Sequence, residues 1–198
     1  MLRHRQEDFV RERGLAPGRS WAAWARALGH LIPPLRVADL GCGEGYLAIE
    51  ASRWAGRVVA VDVSAKALEA ARERAREKGA RDILWKRGDI EALPLETGSF
   101  DVALLSQALH HAREPMRALR EAARILAPGG TLLLLDLKTH REEWVRKLGD
   151  HWLGFDESTI RRMMKEAGLV RLRIEVGSRR RGDPFQVFIA SGGKPSKA

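Results

Sequence analysis

The sequence of 198 residues has a single cysteine, Cys42, and no long apolar run. One thiol cannot form an internal disulfide or a multi-thiolate metal site, which excludes zinc fingers and iron–sulfur proteins; no metal site is predicted. No stretch approaches the about 18 to 20 consecutive apolar residues that a membrane span needs, and the charged N-terminus lacks the apolar core of a signal peptide. We therefore expect a cytoplasmic protein that does not enter membranes.

Basic residues outnumber acidic ones by 35 to 26, for a formal net charge of +9. They are scattered along the sequence with one tight cluster at Arg179-Arg180-Arg181, whereas nucleic-acid-binding proteins usually concentrate them on one face or in a tail. The charge is therefore interpreted as a solvated surface, and a nucleic-acid partner is disfavoured. With 44% hydrophobic residues, a chain of this length is expected to form one globular domain with a sizeable core.

Residues 1–34 predict a helical segment ahead of the main domain. Ser20 is a good N-cap, and Trp21, Trp24 and Leu28 recur at the spacing of one helical face until prolines end the pattern. Such a helix packs against a core or covers a substrate pocket, so this segment is a candidate lid. The main domain is expected over residues 35–198.

From residue 35 onward, apolar runs typical of strands alternate with amphipathic patterns typical of helices. Repeated βα units of this length imply a parallel sheet covered by helices on both faces, and the two closing strands are close enough in sequence to pair antiparallel. The predicted fold is an α/β, Rossmann-like three-layer α/β/α sandwich, mostly parallel with an antiparallel C-terminal strand pair. Strands are predicted at 35–40, 58–63, 83–86, 100–105, 131–135, 170–176 and 185–190, and helices at 46–54, 65–78, from 115 to the Pro-Gly-Gly at 128–130, and from 156 to 168.

The loop after the first strand carries the first functional signal. In such sheets ligands bind at the carboxyl ends of the strands. Here Asp39 is followed by Gly41, Gly43 and Gly45, whose missing side chains let a ligand lie against backbone N–H groups. A dinucleotide fingerprint would need a glycine where Tyr46 stands, and a carboxylate at Asp39 repels phosphate and attracts an ammonium or sulfonium group. A NAD-dependent dehydrogenase is therefore disfavoured.

Two further aspartates follow the next strands. Asp62 lies 21 residues after Gly41, the separation at which an acid can accept both ribose hydroxyls. Asp89 follows the third strand beside the apolar Ile90, where a carboxylate can hold an adenine amino group. A ligand with a ribose, an adenine and a cationic amino-acid tail is S-adenosylmethionine, which is the predicted cofactor.

The sequence resembles the class I S-adenosylmethionine-dependent methyltransferases over residues 35–191. Part of it is further similar to the methyltransferase half of bacterial proteins that fuse an ArsR-type winged helix to a methyltransferase. About 35 residues precede the first strand, too few for a winged helix, so DNA recognition is not carried over. The family resemblance rests on Val37 to Gly45, Val61-Asp62-Val63-Ser64, Gly88-Asp89-Ile90, Phe100-Asp101-Val102 and Arg124 to Gly130, and the closer one on Gly18-Arg19-Ser20-Trp21, Ser106 to His111 and Asp150 to Phe155.

The resemblance implies a role for each position of the glycine loop and of the strand ends. Asp39 and the glycines would hold the methionine moiety, Asp62 the ribose, and Asp89 and Ile90 the adenine. Ser106 and Gln107 would line the floor near the sulfonium. The complete predicted cofactor set is Asp39, Gly41, Gly43, Gly45, Tyr46, Asp62, Val63, Asp89, Ile90, Ser106 and Gln107.

Methyl transfer is an in-line displacement from a good leaving group, so positioning alone can suffice for a thiolate or enolate acceptor, while a hydroxyl gains from a base. The candidate catalytic residues are His110, His111, His140 and His151, and nothing in the sequence selects one. Packing or capping is the alternative role for each. The predicted partner is a small-molecule acceptor, enclosed by Trp21 and Trp24 and by the aromatic segment 144–155. The oligomeric state is left open.

The alternative is a nucleic-acid-binding protein or nucleic-acid methyltransferase. Enzymes that methylate exocyclic amines typically carry Asn or Asp, Pro-Pro and an aromatic residue after the fourth strand, where this sequence reads Ser106-Gln107-Ala108-Leu109. Carbon-5 enzymes need a cysteine in that region, and arsenite methylation ordinarily uses several cysteines. These departures favour a small acceptor.

Overall fold

A computed structural model of the protein describes residues 34–177 and 183–196. The candidate lid, with Trp21 and Trp24, lies outside the described residues, as does the arginine cluster at 179–181. The predicted boundary at residue 35 therefore stays a prediction. Within the described ranges, no helix combines the length and the apolar character needed to cross a membrane.

The described chain alternates strands and helices as the sequence predicts. The helix over Ala65–Glu77 is capped by Ser64, whose hydroxyl accepts the Ala67 N–H at 3.2 Å, and the helix over Glu157–Glu166 is capped by Asp156, whose carboxylate accepts the Thr159 N–H at 2.8 Å. The strands are β1 (Arg36–Leu40), β2 (Arg57–Asp62), β3 (Ile83–Arg87), β4 (Phe100–Ser106), β5 (Leu126–Leu137), β6 (Val170–Val176) and β7 (Val187–Gly193). The helices are α1 (Tyr46–Ala51), α2 (Ala65–Glu77), α3 (Pro115–Ile125) and α4 (Glu157–Glu166), with 3₁₀ turns at Leu109–His111 and Glu143–Leu148.

The strands form one sheet in the order β3-β2-β1-β4-β5-β7-β6. Strands β1 to β5 are parallel, and β7 lies antiparallel between β5 and β6. The predicted Rossmann-like fold with an antiparallel C-terminal pair is confirmed. The strand order reverses between β1 and β4, which is where open α/β sheets bind ligands.

Apolar side chains are buried on both faces of the sheet. On one face α3 buries Leu119 and Ile125, and α4 buries Ile160 and Met164, in the larger core cluster. On the other face a smaller cluster joins β1 and β2 to Ala48 of α1. Because strands β1, β2 and β4 are covered on both sides, their sequences are almost continuously apolar.

Several element boundaries differ from the sequence prediction: β5 spans Leu126–Leu137 instead of 131–135, β7 begins at Val187, and other ends shift by one or two residues. Helix α1 ends at Ala51 instead of residue 54, and β7 runs to Gly193 because it pairs with β5 along its whole length. Helix α3 ends at Ile125, before the Pro-Gly-Gly at 128–130. The reason is that Leu126 is completely buried and pairs with Phe100 of β4, so tertiary packing draws the chain out of the helix first.

Between β5 and α4 the chain forms a loop whose two ends lie side by side at the end of β5. Backbone hydrogen bonds close the base of this loop: the Phe155 N–H donates to the Leu137 carbonyl at 2.9 Å, and the His140 N–H donates to the Leu153 carbonyl at 3.0 Å. At Gly154, φ is +73° and a side chain would collide with the Lys138 carbonyl, so the closure requires glycine there. We call residues 138–155 the closed loop.

Candidate active site

A cavity of about 720 Å³ lies at the carboxyl ends of β1 to β4, and we call it the first cavity. Its volume falls within the range of small-molecule and cofactor sites. Two members of the predicted set line it from the glycine loop, and the others come from the segments that follow β2, β3 and β4. The predicted cofactor residues in its wall are Gly41, Gly43, Asp62, Val63, Asp89, Ile90 and Gln107.

The glycine loop is shaped by two different requirements. A Cβ on Gly41 would lie 2.6 Å from the Ala108 Cβ, so the loop can pack against the segment after β4 only without a side chain. Gly43 has φ of +51° and nothing within 4 Å of its Cβ direction, so its backbone is left open to the cavity.

Asp62 ties the glycine loop to the start of α2. One carboxylate oxygen accepts the Gly43 N–H and the other accepts the Ser64 N–H, both at 2.8 Å. Each oxygen of a carboxylate has two acceptor positions, so both keep capacity for a ligand hydroxyl. The same side chain therefore fixes the loop and lines the cavity.

Asp39 is buried at the end of β1, outside the cavity wall, with 2% of its surface exposed. Burial raises the pKa of its carboxyl to about 7, the Ala48 N–H partly offsets that rise, and the nearby charge of Asp62 adds to it. Its Oδ2 atom accepts no hydrogen bond from any described residue. A buried acceptor without a donor is costly, and a cationic group nearby would relieve that cost.

Three other predicted cofactor residues also lie outside this wall. Gly45 packs against Trp85, and a Cβ there would lie 2.7 Å from that ring. Tyr46 is 62% exposed, with the Arg74 guanidinium 4.1 Å above its ring. Ser106 is half-buried at the end of β4.

A second cavity, of about 750 Å³, adjoins the first, and Gln107 and His111 line both. One side of the second cavity is apolar, with Trp144 and Phe185 in edge-to-face contact at 5.9 Å between ring centroids. The same cavity is also lined by His110, His111 and Asp150, which we call the polar wall. The remaining lining residues are Leu137, Val145, Leu148, Asp183 and Val187.

Gln107 joins the two cavities in an uncommon backbone conformation. Its φ is +50°, in the left-handed region that residues other than glycine rarely adopt. The Gln107 N–H donates to the Leu135 carbonyl at 2.7 Å, which holds the chain in that turn. Backbone strain of this kind concentrates at functional sites.

His110 is held by a buried carboxylate. Its Nδ1 lies 2.7 Å from Asp136 Oδ1, and Asp136 also accepts the N–H groups of Leu109 at 2.9 Å and Leu137 at 2.7 Å. Burial by itself lowers the pKa of His110, but the Asp136 hydrogen bond and the charges of Asp136 and Asp150 outweigh it, so the pKa of His110 is raised. With Nδ1 donating to Asp136, the His110 Nε2 atom faces Asp150 at 3.9 Å.

The other three candidate histidines lie in different environments. His111 is exposed, with its Nδ1 3.2 Å from the Gly149 carbonyl and 3.3 Å from Asp150 Oδ1. His151 lines the first cavity. His140 lines neither cavity; its Nδ1 accepts the Glu142 N–H at 3.2 Å, and its Nε2 is buried without a partner among the described residues. The structure thus brings three of the four histidines to the cavities.

Comparison with known proteins identifies this part of the chain. Residues 38–134 match the family model described as a methyltransferase domain. The chain carries a methyltransferase domain. The family indicates S-adenosylmethionine as its cofactor.

Relatives and solved structures agree with this. The chain is 36% identical over 101 residues to the uncharacterized methyltransferase YcgJ of Bacillus subtilis, covering 51% of this chain and 40% of that protein. It is 31% identical over 136 residues to the ubiquinone/menaquinone biosynthesis C-methyltransferase UbiE of Shewanella frigidimarina, covering 67% of this chain and 54% of that protein. The matches therefore span about two fifths to a half of these relatives' length.

A solved structure of a putative methyltransferase from Bacillus halodurans has a TM-score of 0.72 to this chain at 21% identity, with 89% of this chain and all of that chain covered. At this identity the likeness shows the fold.

Two aspartates at the second cavity, Asp136 and Asp150, are not among the residues predicted from the sequence. Asp136 interrupts the apolar run of β5 just after residue 135, where the predicted strand ends, and Asp150 opens the stretch Asp150 to Phe155. A charged residue directly after a buried apolar run is the signal that points to Asp136. The stretch Asp150 to Phe155 contributes to the closer family resemblance, but the resemblance implies no role for its aspartate.

The predicted aromatic enclosure is present in part. Trp144 lines the second cavity, whereas Trp152 and Phe155 lie outside its wall and stack on each other at 5.8 Å. The Trp152 Nε1–H donates to the Ala112 carbonyl at 2.9 Å. Trp152 therefore braces the segment that follows the two histidines of the methyltransferase domain.

Proposed function

We propose that the protein transfers a methyl group from S-adenosylmethionine to a small-molecule acceptor. The observation that carries this proposal is the meeting of two cavities at Gln107 and His111, one lined by the glycine loop and the strand-end aspartates, the other walled by aromatic residues. In-line displacement needs donor and acceptor to approach one centre from opposite sides. Two adjoining cavities supply that arrangement.

The first cavity fits the cofactor. Asp62 would hold the ribose hydroxyls with its spare acceptor positions, and Asp89 and Ile90 would receive the adenine, with Val63 beside them. Asp39 and Gly41, Gly43 and Gly45 would hold the methionine moiety, with Tyr46 next to the loop and Ser106 and Gln107 near the sulfonium. The unpartnered oxygen of buried Asp39 supports a ligand with positive charge.

The second cavity would receive the acceptor. When bound, S-adenosylmethionine supplies a methyl group on a sulfonium, which is already a good leaving group. The protein then has to align the acceptor atom, and such alignment can contribute about 7 to 11 kcal/mol. Trp144 and Phe185 offer a flat apolar surface for a compact acceptor, and no Lys or Arg of the described residues lines this cavity.

The polar wall would activate the acceptor. A hydroxyl, amine or thiol must lose a proton on methylation, and a positioned group that withdraws it contributes about 10²- to 10⁴-fold. His110, His111 and Asp150 present lone pairs to the second cavity. His151 lines the first cavity, and His140, away from both, is left with a packing role.

We also propose that the protein is related to the methyltransferase half of ArsR-type fusion proteins. Two of the stretches that carry that resemblance, Ser106 to His111 and Asp150 to Phe155, contribute residues to the cavity walls.

Isothermal titration of the full chain with S-adenosylmethionine and S-adenosylhomocysteine tests the cofactor site. Asp62→Ala should weaken binding by about 1.5 to 3 kcal/mol, the range for hydrogen bonds to a charged group. Glu69→Ala, which removes an exposed carboxylate from α2, is the matched control and should bind as the unaltered protein does. Equal affinity for Asp62→Ala would remove the role assigned to Asp62, and heat with NADH alone would overturn the enzyme class.

A screen of acceptors with labelled S-adenosylmethionine tests the second half of the proposal. It should span thiols, phenols, quinols, amines, tRNA and duplex DNA. We expect transfer to at least one small molecule. Transfer confined to tRNA or DNA would overturn the small-molecule proposal and assign the basic surface a function.

A further inference from the structure

The polar wall of the second cavity brings together three metal-binding side chains. We propose that His110, His111 and Asp150 bind a divalent transition-metal ion, with zinc as the ion their chemistry suits. Imidazole and carboxylate ligands are those that zinc accepts alongside thiolates. No metal site is predicted from the sequence, since a single cysteine excludes multi-thiolate sites and 40 positions separate His110 from Asp150.

The spacing of the three side chains agrees with one ion. One candidate ligand atom from each residue lies within 4.8 Å of the other two. His111 Nδ1 is 3.3 Å from Asp150 Oδ1, and His110 Nε2 is 3.9 Å from Asp150 Oδ2. Tetrahedral coordination at bond lengths of about 2.0 to 2.2 Å places neighbouring ligand atoms about 3.3 to 3.6 Å apart. Because the separations extend up to 4.8 Å, the side chains have to close by up to about 1 Å to reach that geometry.

Asp150 is the side chain that most needs a cation. It is 8% exposed, and its charge partners among the described residues are the imidazoles of His110 and His111, which carry charge only when protonated. A buried carboxylate is costly unless it is paired or coordinates a metal. A metal ion bound by both imidazole nitrogens would give this carboxylate a permanent positive partner.

His110 has the support that metal-ligating histidines have. Such residues almost always donate the other ring N–H to a carboxylate or carbonyl, which fixes the tautomer. Here Asp136, completely buried, accepts from Nδ1 at 2.7 Å. The Nε2 lone pair of His110 is therefore directed at the second cavity and at Asp150.

The backbone holds the two halves of the cluster together. The His110 carbonyl accepts the N–H groups of both His151 and Trp152 at 3.0 Å, so the loop that carries Asp150 is fastened to the turn that carries the histidines. Metal binding would cost His111 one hydrogen bond. Coordination through Nδ1 moves the ring proton to Nε2, so the Gly149 carbonyl, 3.2 Å away, loses its donor. The exposed ring leaves that proton in contact with water.

The proposed ion would have three protein ligands and a free position toward the second cavity. Three ligands and an open position are typical of catalytic zinc sites. Asp150 and Asp136 together balance the charge of a divalent ion. If the proposed function holds, an acceptor hydroxyl or thiol in that cavity would bind the ion and lose its proton more easily.

Titration of the full chain with Co²⁺, after treatment with a chelator and dialysis, tests the site without reference to activity. We expect one equivalent to bind with the intense visible absorption of tetrahedral Co²⁺, and Zn²⁺ to displace it. Asp150→Asn should abolish the bands. His111→Ala is the second variant, because its exposed side chain can be removed with little effect on folding.

Two further variants separate coordination from support. Asp136→Asn should weaken Co²⁺ binding about 10- to 100-fold, the usual cost of losing a partner of a metal-bound histidine. His140→Ala, outside the cluster, should bind Co²⁺ as the unaltered protein does. Absence of the bands in the unaltered protein, or equal bands after both Asp150→Asn and His111→Ala, would overturn the site.

Failure of this proposal and of the proposed function give different results. An unaltered protein that binds S-adenosylhomocysteine and transfers methyl groups but takes up no Co²⁺ contradicts the metal site alone. An unaltered protein that takes up Co²⁺ but binds neither adenosyl ligand contradicts the function and leaves the site standing.

Discussion

The first cavity takes most of its wall from the ends of consecutive strands, whereas the second takes its wall from a 3₁₀ turn, the end of β5, the closed loop and residues 183–187 leading into β7. Asp62 is the last residue of β2 and Asp89 follows β3, so the position of each is set by local sequence and the parallel pairing of the sheet. His110 and Asp150 are 40 positions apart in the sequence, and the His110 carbonyl helps to bring them together by accepting two N–H groups of the loop. The residues of the first cavity are therefore positioned by local sequence motifs, and those of the second by contacts between distant segments of the chain.

The largest effect is expected at a packing contact between two parts of the first cavity's wall. Gly41→Ala places a Cβ 2.6 Å from the Ala108 Cβ at φ of +68°. Overpacking and the left-handed backbone together should lower the free energy of unfolding by about 2 to 5 kcal/mol. Chemical denaturation measures this, and titration with S-adenosylhomocysteine should show lost binding.

Gly79→Ala is the matched control for this variant. Its φ is +63° but nothing lies within 4 Å of the added Cβ, so only the backbone cost applies. An equal loss of stability in the two variants would contradict the role assigned to the Ala108 contact.

A pH series on Asp39→Asn tests whether the buried Asp39 carboxylate destabilises the ligand-free protein. The folded protein holds a proton on Asp39 up to a pKa of about 7, above the ordinary value of 3.8, so the folded state binds more protons between those pH values. Stability of the ligand-free protein should therefore fall as pH rises through that window. Relative to the unaltered protein, Asp39→Asn should gain about 1 to 4 kcal/mol by pH 8 and lose cofactor affinity.

Thermal unfolding of both proteins from pH 4 to pH 8, without ligand, provides the comparison. Parallel stability profiles for the two would show that the Asp39 carboxyl titrates at its ordinary pKa.

Trp144→Ala should weaken acceptor binding without changing cofactor binding. Loss of this aromatic wall should raise the KM for an acceptor found in the screen by about 5- to 30-fold, as expected for removal of about 1 to 2 kcal/mol of apolar contact. Affinity for S-adenosylhomocysteine should not change, because Trp144 lies outside the first cavity. An equal loss of both affinities would contradict the division into two sites.

The smallest effect is expected at Trp152. Trp152→Phe keeps the stacking on Phe155 but leaves the Ala112 carbonyl without its donor. The free energy of unfolding should fall by about 0.5 to 1.5 kcal/mol, with both ligand affinities retained. A large rise in acceptor KM instead would place Trp152 in the acceptor site.

The fold and the first cavity follow from the sequence because their signals are local. Ser64 and Asp156 cap helices at the predicted positions, and each apolar run becomes a strand. The Pro-Gly-Gly at 128–130 fails as a helix end because burial of Leu126 acts earlier in the chain. Propensity gives way to tertiary packing at that point.

The second cavity was largely beyond sequence analysis. Trp144 was predicted as part of an aromatic enclosure, but the partnership of Asp136 with His110 depends on the turn after β4 lying against the end of β5. The periodicity of apolar residues predicts helices and strands, but it does not predict contacts between segments that are distant in the sequence. The candidate lid over residues 1–34 stays a prediction, and its removal should impair turnover more than cofactor affinity.

The closure of the loop at residues 138–155 has a consequence for how such a protein diversifies. Its base is fastened through main-chain groups at Leu137, Phe155, His140 and Leu153, which every amino acid except proline can supply. Side chains at its tip can therefore be exchanged with little penalty to the sheet or to the glycine loop. Descendants of one ancestor could keep a common methyl donor while each acquires a different molecule to modify.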